Sequence, residues 1–349
     1  MRTRPPPAAS LQHTISGAHC QVFRRSAKRV FSVPVNIDSV RPGIWLAYAT
    51  VLLVLLVGSG TTRVLISRFP QRDYTELRLR VRTWWFIVPP VAAALIAGNI
   101  ASILLLAVMS ALALKEYLAM AAHRGADYRR LWPVYLAIPI QYGFAYASSY
   151  VAFAATIPLF GLALLPLALV VVRDAANAVR AAAIADLGLL LTVFSLSHIA
   201  LLRQLPDATN PVGGAVGWVV FLLLITQLND VAQYVFGKCF GRRPIAPRAS
   251  PKKTVEGFAG GVAASAIVAA WIGPLVTPME TATSSIAGMT LAVAGFGGDM
   301  AVSALKRAFG VKDAGSLLPG HGGLLDRVDS LIATSPLFFY FVYFAFAAH

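Results

Sequence analysis

The chain has 349 residues, of which 57% are hydrophobic and 13% charged, and its mean hydropathy is +0.68. Soluble domains carry about 25% charged residues, so this composition excludes an ordinary water-soluble enzyme and a disordered chain. It predicts an all-α, polytopic membrane helix bundle, because lipid offers backbone groups no partners outside regular structure. The net charge of +15 favours anionic partners such as lipid head groups, nucleotides or pyrophosphate, and we expect no nucleic-acid partner.

The hydropathy pattern predicts about nine to ten transmembrane helices after a basic tail. Residues 1–42 are polar and basic and are predicted to be a disordered N-terminal tail. Residues 43–213 are predicted to form scaffold helices, and 214–349 a region that carries the chemistry. Apolar stretches lie near 45–60, 84–98, 100–120, 131–148, 150–172, 182–202, 214–236, 257–277, 284–305 and 330–347.

Basic segments between these stretches predict the topology. Segments 63–82, 123–130, 237–256 and 306–329 are rich in Lys and Arg and fall on one side, which the positive-inside rule assigns to the cytoplasm. Segments 203–213 and 278–283 fall opposite and are nearly uncharged. A full span at 45–60 would place the basic tail outside, so that stretch is either re-entrant or interfacial, or a boundary is shifted.

Acids inside a bilayer indicate function, because burying them is costly. The acids of the first half, including Glu116 at the end of a span and Asp186 near a helix start, are interpreted as structural. The last 120 residues hold seven of the fifteen acids and five of the seven lysines. Three clusters stand out there.

The first cluster spans residues 229–257 and combines a membrane acid with a basic loop. Asp230 lies near the end of an apolar span, and Tyr234 shares its face. Hydroxyls, lysines and a helix N-terminus together suit phosphate oxygens. The residues concerned are Lys238, Ser250, Lys253 and Thr254. A cytoplasmic basic loop with a capped helix is the alternative interpretation.

The second cluster, 295–307, places Asp299 inside a predicted span. An unpaired carboxylate there costs several kcal/mol and needs a cation or a donor. On a helix, Asp299, Ser303 and Lys306 share one stripe. The alternative is a structural ion pair between Asp299 and Lys306.

The third cluster, 312–330, contains a Gly- and Pro-rich turn around His321. Asp326 and Asp329 share a helix face, where two carboxylates repel unless a divalent ion joins them. Such oxygen ligands suit Mg²⁺, and Asp299 would supply a third carboxylate. A loop histidine bonded to the backbone is as good an interpretation of His321 as a catalytic one. The three clusters together predict metal-assisted phosphoryl or nucleotidyl transfer at the cytoplasmic end of the bundle.

The stretch 303–329, S-A-L-K-R-A-F-G-V-K-D-A-G-S-L-L-P-G-H-G-G-L-L-D-R-V-D, resembles the signature of phosphatidate cytidylyltransferases, also called CDP-diacylglycerol synthases. The family pattern reads S-x-x-K-R, then K-D, then P-x-H-G-G-x-x-D-R-x-D, and every fixed position is present. The blocks at 236–238, 246–257 and 297–299 also resemble the family.

The resemblance implies attack of phosphatidic acid on the α-phosphorus of CTP, giving CDP-diacylglycerol and pyrophosphate, at the cytoplasmic face of a bacterial inner membrane. It implies Mg²⁺, with a monovalent cation such as K⁺ beside it, and dimer surfaces on the scaffold helices. The implied metal ligands are Asp299, Asp326 and Asp329. The implied catalytic residues are Asp299, Lys306, Arg307, Asp313, His321, Asp326, Arg327 and Asp329. The expected substrate-binding residues are Asp230, Lys238, Ser250, Lys253, Thr254, Ser303, Lys312, Gly322 and Gly323.

Three positions depart from the family pattern. Val231 and Ala232 replace a Ser and a Gly, and Val302 stands where an acid is frequent. The acceptor therefore stays open at this point, with another lipid phosphate as the alternative substrate. A lipid transporter that uses the same charges as a pathway is the non-enzymatic alternative.

Overall fold

The structure is a computed structural model that describes residues 42–68, 74–122, 128–171, 175–247, 250–315 and 322–347. Within these ranges the chain is almost entirely helical, and the predicted all-α membrane bundle is confirmed. Residues 1–41 of the predicted tail 1–42 and the predicted site residue His321 lie outside the described residues, and Pro42 is the first residue of a helix.

The described residues of the N-terminal region form seven α-helices. Their bounds are α1 Pro42–Arg68, α2 Thr75–Ala97, α3 Asn99–Ala122, α4 Ala137–Tyr146, α5 Tyr150–Val171, α6 Ala175–Gly188 and α7 Ser195–Gln204. A 3₁₀ segment, Tyr128–Leu136, leads into α4, and a π-helical turn, Leu189–Phe194, joins α6 to α7 without a break. Each apolar stretch predicted in this region coincides with helical structure.

The C-terminal region has four long helices and a small hairpin. Helix α8 spans Gly214–Phe240, α9 Val255–Val276, α10 Thr281–Ala308 and α11 Leu325–Val342, and a π-helical turn Tyr343–Ala347 follows. Strands β1 (Pro244–Ala246) and β2 (Ser250–Thr254) pair antiparallel between α8 and α9. Thr254 caps α9, since its hydroxyl accepts the N–H of Gly257 at 3.1 Å.

Six helices in the described ranges are long and apolar enough to cross a bilayer. They are Asn99–Ala122, Ala178–Gln204, Gly214–Phe240, Val255–Val276, Thr281–Ala308 and Leu325–Ala347. Two shorter apolar helical stretches, Val81–Ala97 and Tyr150–Leu164, accompany them. The stretches predicted at 45–60 and 131–148 also fall on helical segments, but not on helices of this group of six.

Glycines allow the C-terminal helices to pack closely. A Cβ on Gly217 would lie 2.0 Å from the carbonyl oxygen of Val276, so α8 and α9 approach at that point. On Gly298 of α10, a Cβ would lie 2.6 Å from the carbonyl oxygen of Asp329 on α11. Small residues permit such contacts between membrane helices. The second contact places Asp299 beside the first turns of α11.

Candidate active site

Asp299 of α10 meets the hairpin through Lys253 of β2. The Lys253 ammonium forms an ion pair with the Asp299 carboxylate, and both side chains are largely buried. Ser303, one turn further along α10, donates a hydrogen bond to Asp299 at 3.2 Å. The ammonium also lies 4.9 Å from the ring centre of Phe296, a cation–π contact. The membrane acid predicted at 299 therefore has a cation and a hydroxyl donor.

Asp326 of α11 is the most extensively bonded of the predicted acids. Its Oδ1 accepts a hydrogen bond from Lys306 Nζ at 2.7 Å. Its Oδ2 accepts the N–H groups of Ala314 and Gly323, at 3.0 and 2.9 Å. Asp326 thus connects α11 to Ala314 and to Gly323, which lie before and after the segment 316–321. Lys306 pairs with Asp326, and the alternative Asp299–Lys306 pair does not form.

Asp329 and Asp230 face one another across α8 and α11. Ser330, next to Asp329, donates its hydroxyl to the carboxylate of Asp230, with both O–O distances 2.9 Å. Asp329 is 8% exposed and interacts electrostatically with both Asp230 and Asp299. Three carboxylates from three helices therefore converge, with Lys253 and Lys306 among the nearby cations.

The metal ligands stay a prediction. In the described ranges, no group of three or more His, Cys, Asp or Glu side chains is arranged to hold an ion. Mg²⁺, however, typically binds through one or two carboxylates and completes its octahedron with water and substrate phosphate oxygens. Asp329 and Asp299 carry converging carboxylates that suit this chemistry, and in this structure the Asp299 oxygens contact Lys253 and Ser303. Asp326, the third predicted ligand, has its oxygens engaged by Lys306 and backbone N–H groups.

Glu116 belongs to the site's supporting structure, whereas its position in the sequence predicted only a general structural role. It lies on α3, is 9% exposed, and accepts the N–H groups of Leu324 and Leu325 at 2.9 and 2.8 Å. A Cβ at Gly323 would lie 2.3 Å from the Glu116 carboxylate, and one at Gly315 would lie 2.9 Å away. These glycines therefore admit the carboxylate that caps the start of α11. A lone acid in an apolar helix was the available signal.

The other predicted residues in the described ranges lie in different environments. Gly322 has φ +78°, and a Cβ there would lie 2.6 Å from Asp326 Oδ2, so the turn requires glycine. Arg327 lies close enough to Asp230 to interact with it electrostatically. Ser250 is half-buried in the hairpin. The exposed members of the predicted set are Lys238, Arg307, Lys312 and Asp313.

Comparisons with known proteins identify the class. Residues 78–345 match the model of the cytidylyltransferase family, so the chain belongs to that family and is a nucleotidyltransferase. The predicted resemblance and the prediction of an enzyme are thereby confirmed, and the family match argues against the transporter alternative.

Individual relatives are similar to different extents. The chain is 42% identical over 294 residues to an Escherichia coli protein described as uncharacterized protein YnbB, covering 84% of this chain and 96% of that protein. It is 42% identical over 126 residues to a phosphatidate cytidylyltransferase of Staphylococcus saprophyticus, covering 34% of this chain and 46% of the enzyme. For the Brucella suis phosphatidate cytidylyltransferase, the match is 38% over 154 residues, 44% of this chain and 55% of the enzyme. The chain thus matches about half the length of these two enzymes.

Proposed function

We propose that this protein transfers the cytidylyl group of CTP to phosphatidic acid, forming CDP-diacylglycerol and pyrophosphate. The observation that carries the proposal is the convergence of Lys253 and Lys306 with Asp230, Asp299 and Asp329 between membrane helices. The named relatives support the acceptor, since both are described as phosphatidate cytidylyltransferases.

The residues suit the charge changes of this reaction. A phosphate oxygen of phosphatidic acid bonds to the α-phosphorus of CTP, while the bond from that phosphorus to the α–β bridging oxygen breaks and its electrons leave with pyrophosphate. Negative charge accumulates on the departing group, and lysine ammonium groups stabilise it as point charges. Lys253 and Lys306 are held by Asp299 and Asp326, which orients both ammonium groups before substrate arrives.

Mg²⁺ is part of the proposal. Asp299 and Asp329 would hold it, and when bound it would neutralise phosphate charge and help to orient the reacting oxygens. Ser330 orients Asp230 beside this pair through its hydroxyl. A monovalent cation such as K⁺ beside Mg²⁺, and a catalytic role for His321, stay predictions.

The position of the site suits one water-soluble and one lipid substrate. The carboxylates lie near the end of α8, the end of α10 and the start of α11, next to the basic hairpin. CTP would enter from water past the hairpin, and phosphatidic acid would present its phosphate laterally from the leaflet. Because the basic segments favour the cytoplasmic side, we place the site at the cytoplasmic face of the bacterial inner membrane.

The test is pyrophosphate release by the purified full-length protein in mixed micelles. We expect release that requires CTP, Mg²⁺ and phosphatidic acid together, with labelled CDP-diacylglycerol as the lipid product. UTP or GTP in place of CTP is the matched control. Absence of pyrophosphate with every phospholipid acceptor would overturn the proposal.

A different lipid phosphate is the second candidate acceptor. The match over nearly the whole chain is to an uncharacterized protein, and the named enzymes match less than half of it. In addition, Val302 is 1% exposed at the position where an acid is frequent in the family pattern, so this chain lacks the carboxylate that the pattern has three residues after Asp299. A panel of acceptors, namely phosphatidic acid, ether-linked phosphates and polyprenyl phosphates, with labelled CTP decides between the two candidates. If phosphatidic acid is not an acceptor and another lipid phosphate is, the second candidate is favoured.

A further inference from the structure

A separate cavity of about 520 Å³ lies between α1 and α2, among the scaffold helices. Its lining combines cations, hydroxyls and apolar or aromatic side chains: Ser59, Thr62, Arg63, Ile66, Arg78, Val81, Arg82, Trp85 and Phe86. None of these nine described lining residues is acidic. The cavity therefore combines three guanidinium groups with an apolar wall.

The lining changes from cationic to aromatic with distance from the connection between α1 and α2. Arg78 stands on the first turn of α2, and Arg63 stands near the end of α1, so both lie towards the connection between the two helices. Ser59 and Trp85 lie further from that connection and join the helices, since the indole N–H donates to the Ser59 hydroxyl at 3.0 Å. Exposed arginines therefore lie beside an aromatic part of the lining, made of half-buried Trp85 and of Phe86, which is 64% exposed.

Two further contacts shape this cavity. Thr62 is 5% exposed and donates its hydroxyl to the Gly58 carbonyl oxygen at 2.7 Å, which leaves its methyl group available to the lining. The Arg82 guanidinium lies 5.7 Å from the ring centre of Phe86, one turn along α2. Arg82 is thus held over an aromatic face.

We propose that this cavity binds an anionic phospholipid of the bilayer, with the phosphate at the arginines and the acyl chains along Trp85 and Phe86. Guanidinium groups match phosphate oxygens in bidentate geometry, and basic residues next to membrane helices attract anionic lipids. This site is separate from the carboxylate centre of α8, α10 and α11.

The experiment uses the purified full-length protein and the soluble probe dihexanoyl phosphatidylglycerol, whose phosphodiester is not the proposed acceptor. We expect the triple variant Arg63→Gln, Arg78→Gln, Arg82→Gln to bind this probe about 100-fold more weakly, since each basic residue near an anionic lipid contributes about fivefold. Arg180→Gln, at an exposed arginine of α6 that does not line the cavity, is the matched control and should bind normally. Unchanged affinity in the triple variant would overturn the proposal.

One further variant and two further probes complete the test. Ile66→Trp fills the cavity while keeping every charge, so it should also weaken binding, and it covers the case in which the triple variant does not fold. Dihexanoyl phosphatidylcholine and inorganic phosphate separate the possible sources of the phosphate. Equal binding of phosphatidylcholine would exclude a site for anionic lipid, and displacement of the lipid by inorganic phosphate at equal concentration would exclude a contribution from the acyl chains.

Discussion

The scaffold and C-terminal regions satisfy their buried polar groups differently. In the described part of α1–α7, hydrogen bonds between helices include neutral pairs, such as Ser110 with Tyr142 at 2.8 Å and Gln141 with Ser197 at 3.3 Å. The C-terminal region also has neutral contacts, such as Thr226 to Thr334 at 3.3 Å, but it adds ion pairs, for example between Lys306 and Asp326. Removing one partner of a buried pair leaves an uncompensated charge. The C-terminal helices retain such groups where the proposed chemistry requires charge.

Glu116 is the exception that connects the two regions. It is a carboxylate of the scaffold, yet both backbone N–H groups that donate hydrogen bonds to it lie at the start of α11. The comparison therefore predicts large losses of activity for C-terminal charges, an intermediate loss for Glu116, and small effects for neutral scaffold contacts.

The largest loss is expected for Asp329→Asn and Asp299→Asn. Each change removes a charge from the proposed metal and phosphate centre, and we expect pyrophosphate release to fall by about 10³-fold or more, as for other groups that stabilise charge in a transition state. Expression and helix content should be unchanged. Glu280→Gln, an exposed acid just before the opposite end of α10, is the matched control. Near-normal turnover in either Asp variant would remove that residue from the centre.

Lys306→Gln should lower activity next most strongly, by about 10²-fold. The amide keeps a donor to Asp326 but removes the positive charge that would face the departing pyrophosphate. The effect should appear in kcat more than in KM if the charge acts mainly in the transition state. A change in KM alone would assign Lys306 to ground-state binding of CTP.

Glu116→Ala should reduce activity by about 10- to 100-fold although the residue touches no substrate. It leaves two buried N–H groups without an acceptor, at a cost of about 1–3 kcal/mol each, and loosens the start of α11. Glu116→Gln should restore part of the kcat, because an amide oxygen still accepts one bond. Lys115→Ala, at the exposed neighbouring position, is the control. If Glu116→Ala lowers thermal stability but leaves kcat intact, Glu116 only stabilises the fold.

Ser330→Ala should give the smallest effect of the series, about fivefold. It removes the donor that orients Asp230. A hydrogen bond to a charged acceptor contributes about 1.5–3 kcal/mol to stability, and we expect about 1 kcal/mol of it, which is about fivefold in rate, to appear in the barrier. Ser335→Ala, on the same helix and also buried, is the comparison variant. If Ser330→Ala and the wild type are equally active, Asp230 is not part of the reacting centre.

Periodicity could predict the helices but not every pairing within the site. Asp326 and Asp329 share a face by spacing alone, which suggested a common ion. In the structure, Asp326 binds Lys306 and two backbone N–H groups, whereas Asp329 lies towards Asp230 and Asp299. The partners of each oxygen depend on which helix stands opposite, and spacing along one helix carries no information about that.

The sequence alone determined the membrane class, the positions of the apolar helices and the family, because hydropathy and a run of fixed residues are properties of the chain itself. Only the tertiary structure decided that Lys253 pairs with Asp299 and that Glu116, 208 residues before Leu324, caps α11. Such contacts arise where glycines let distant helices approach, and they form because a buried charge or N–H group must find a partner once water is excluded.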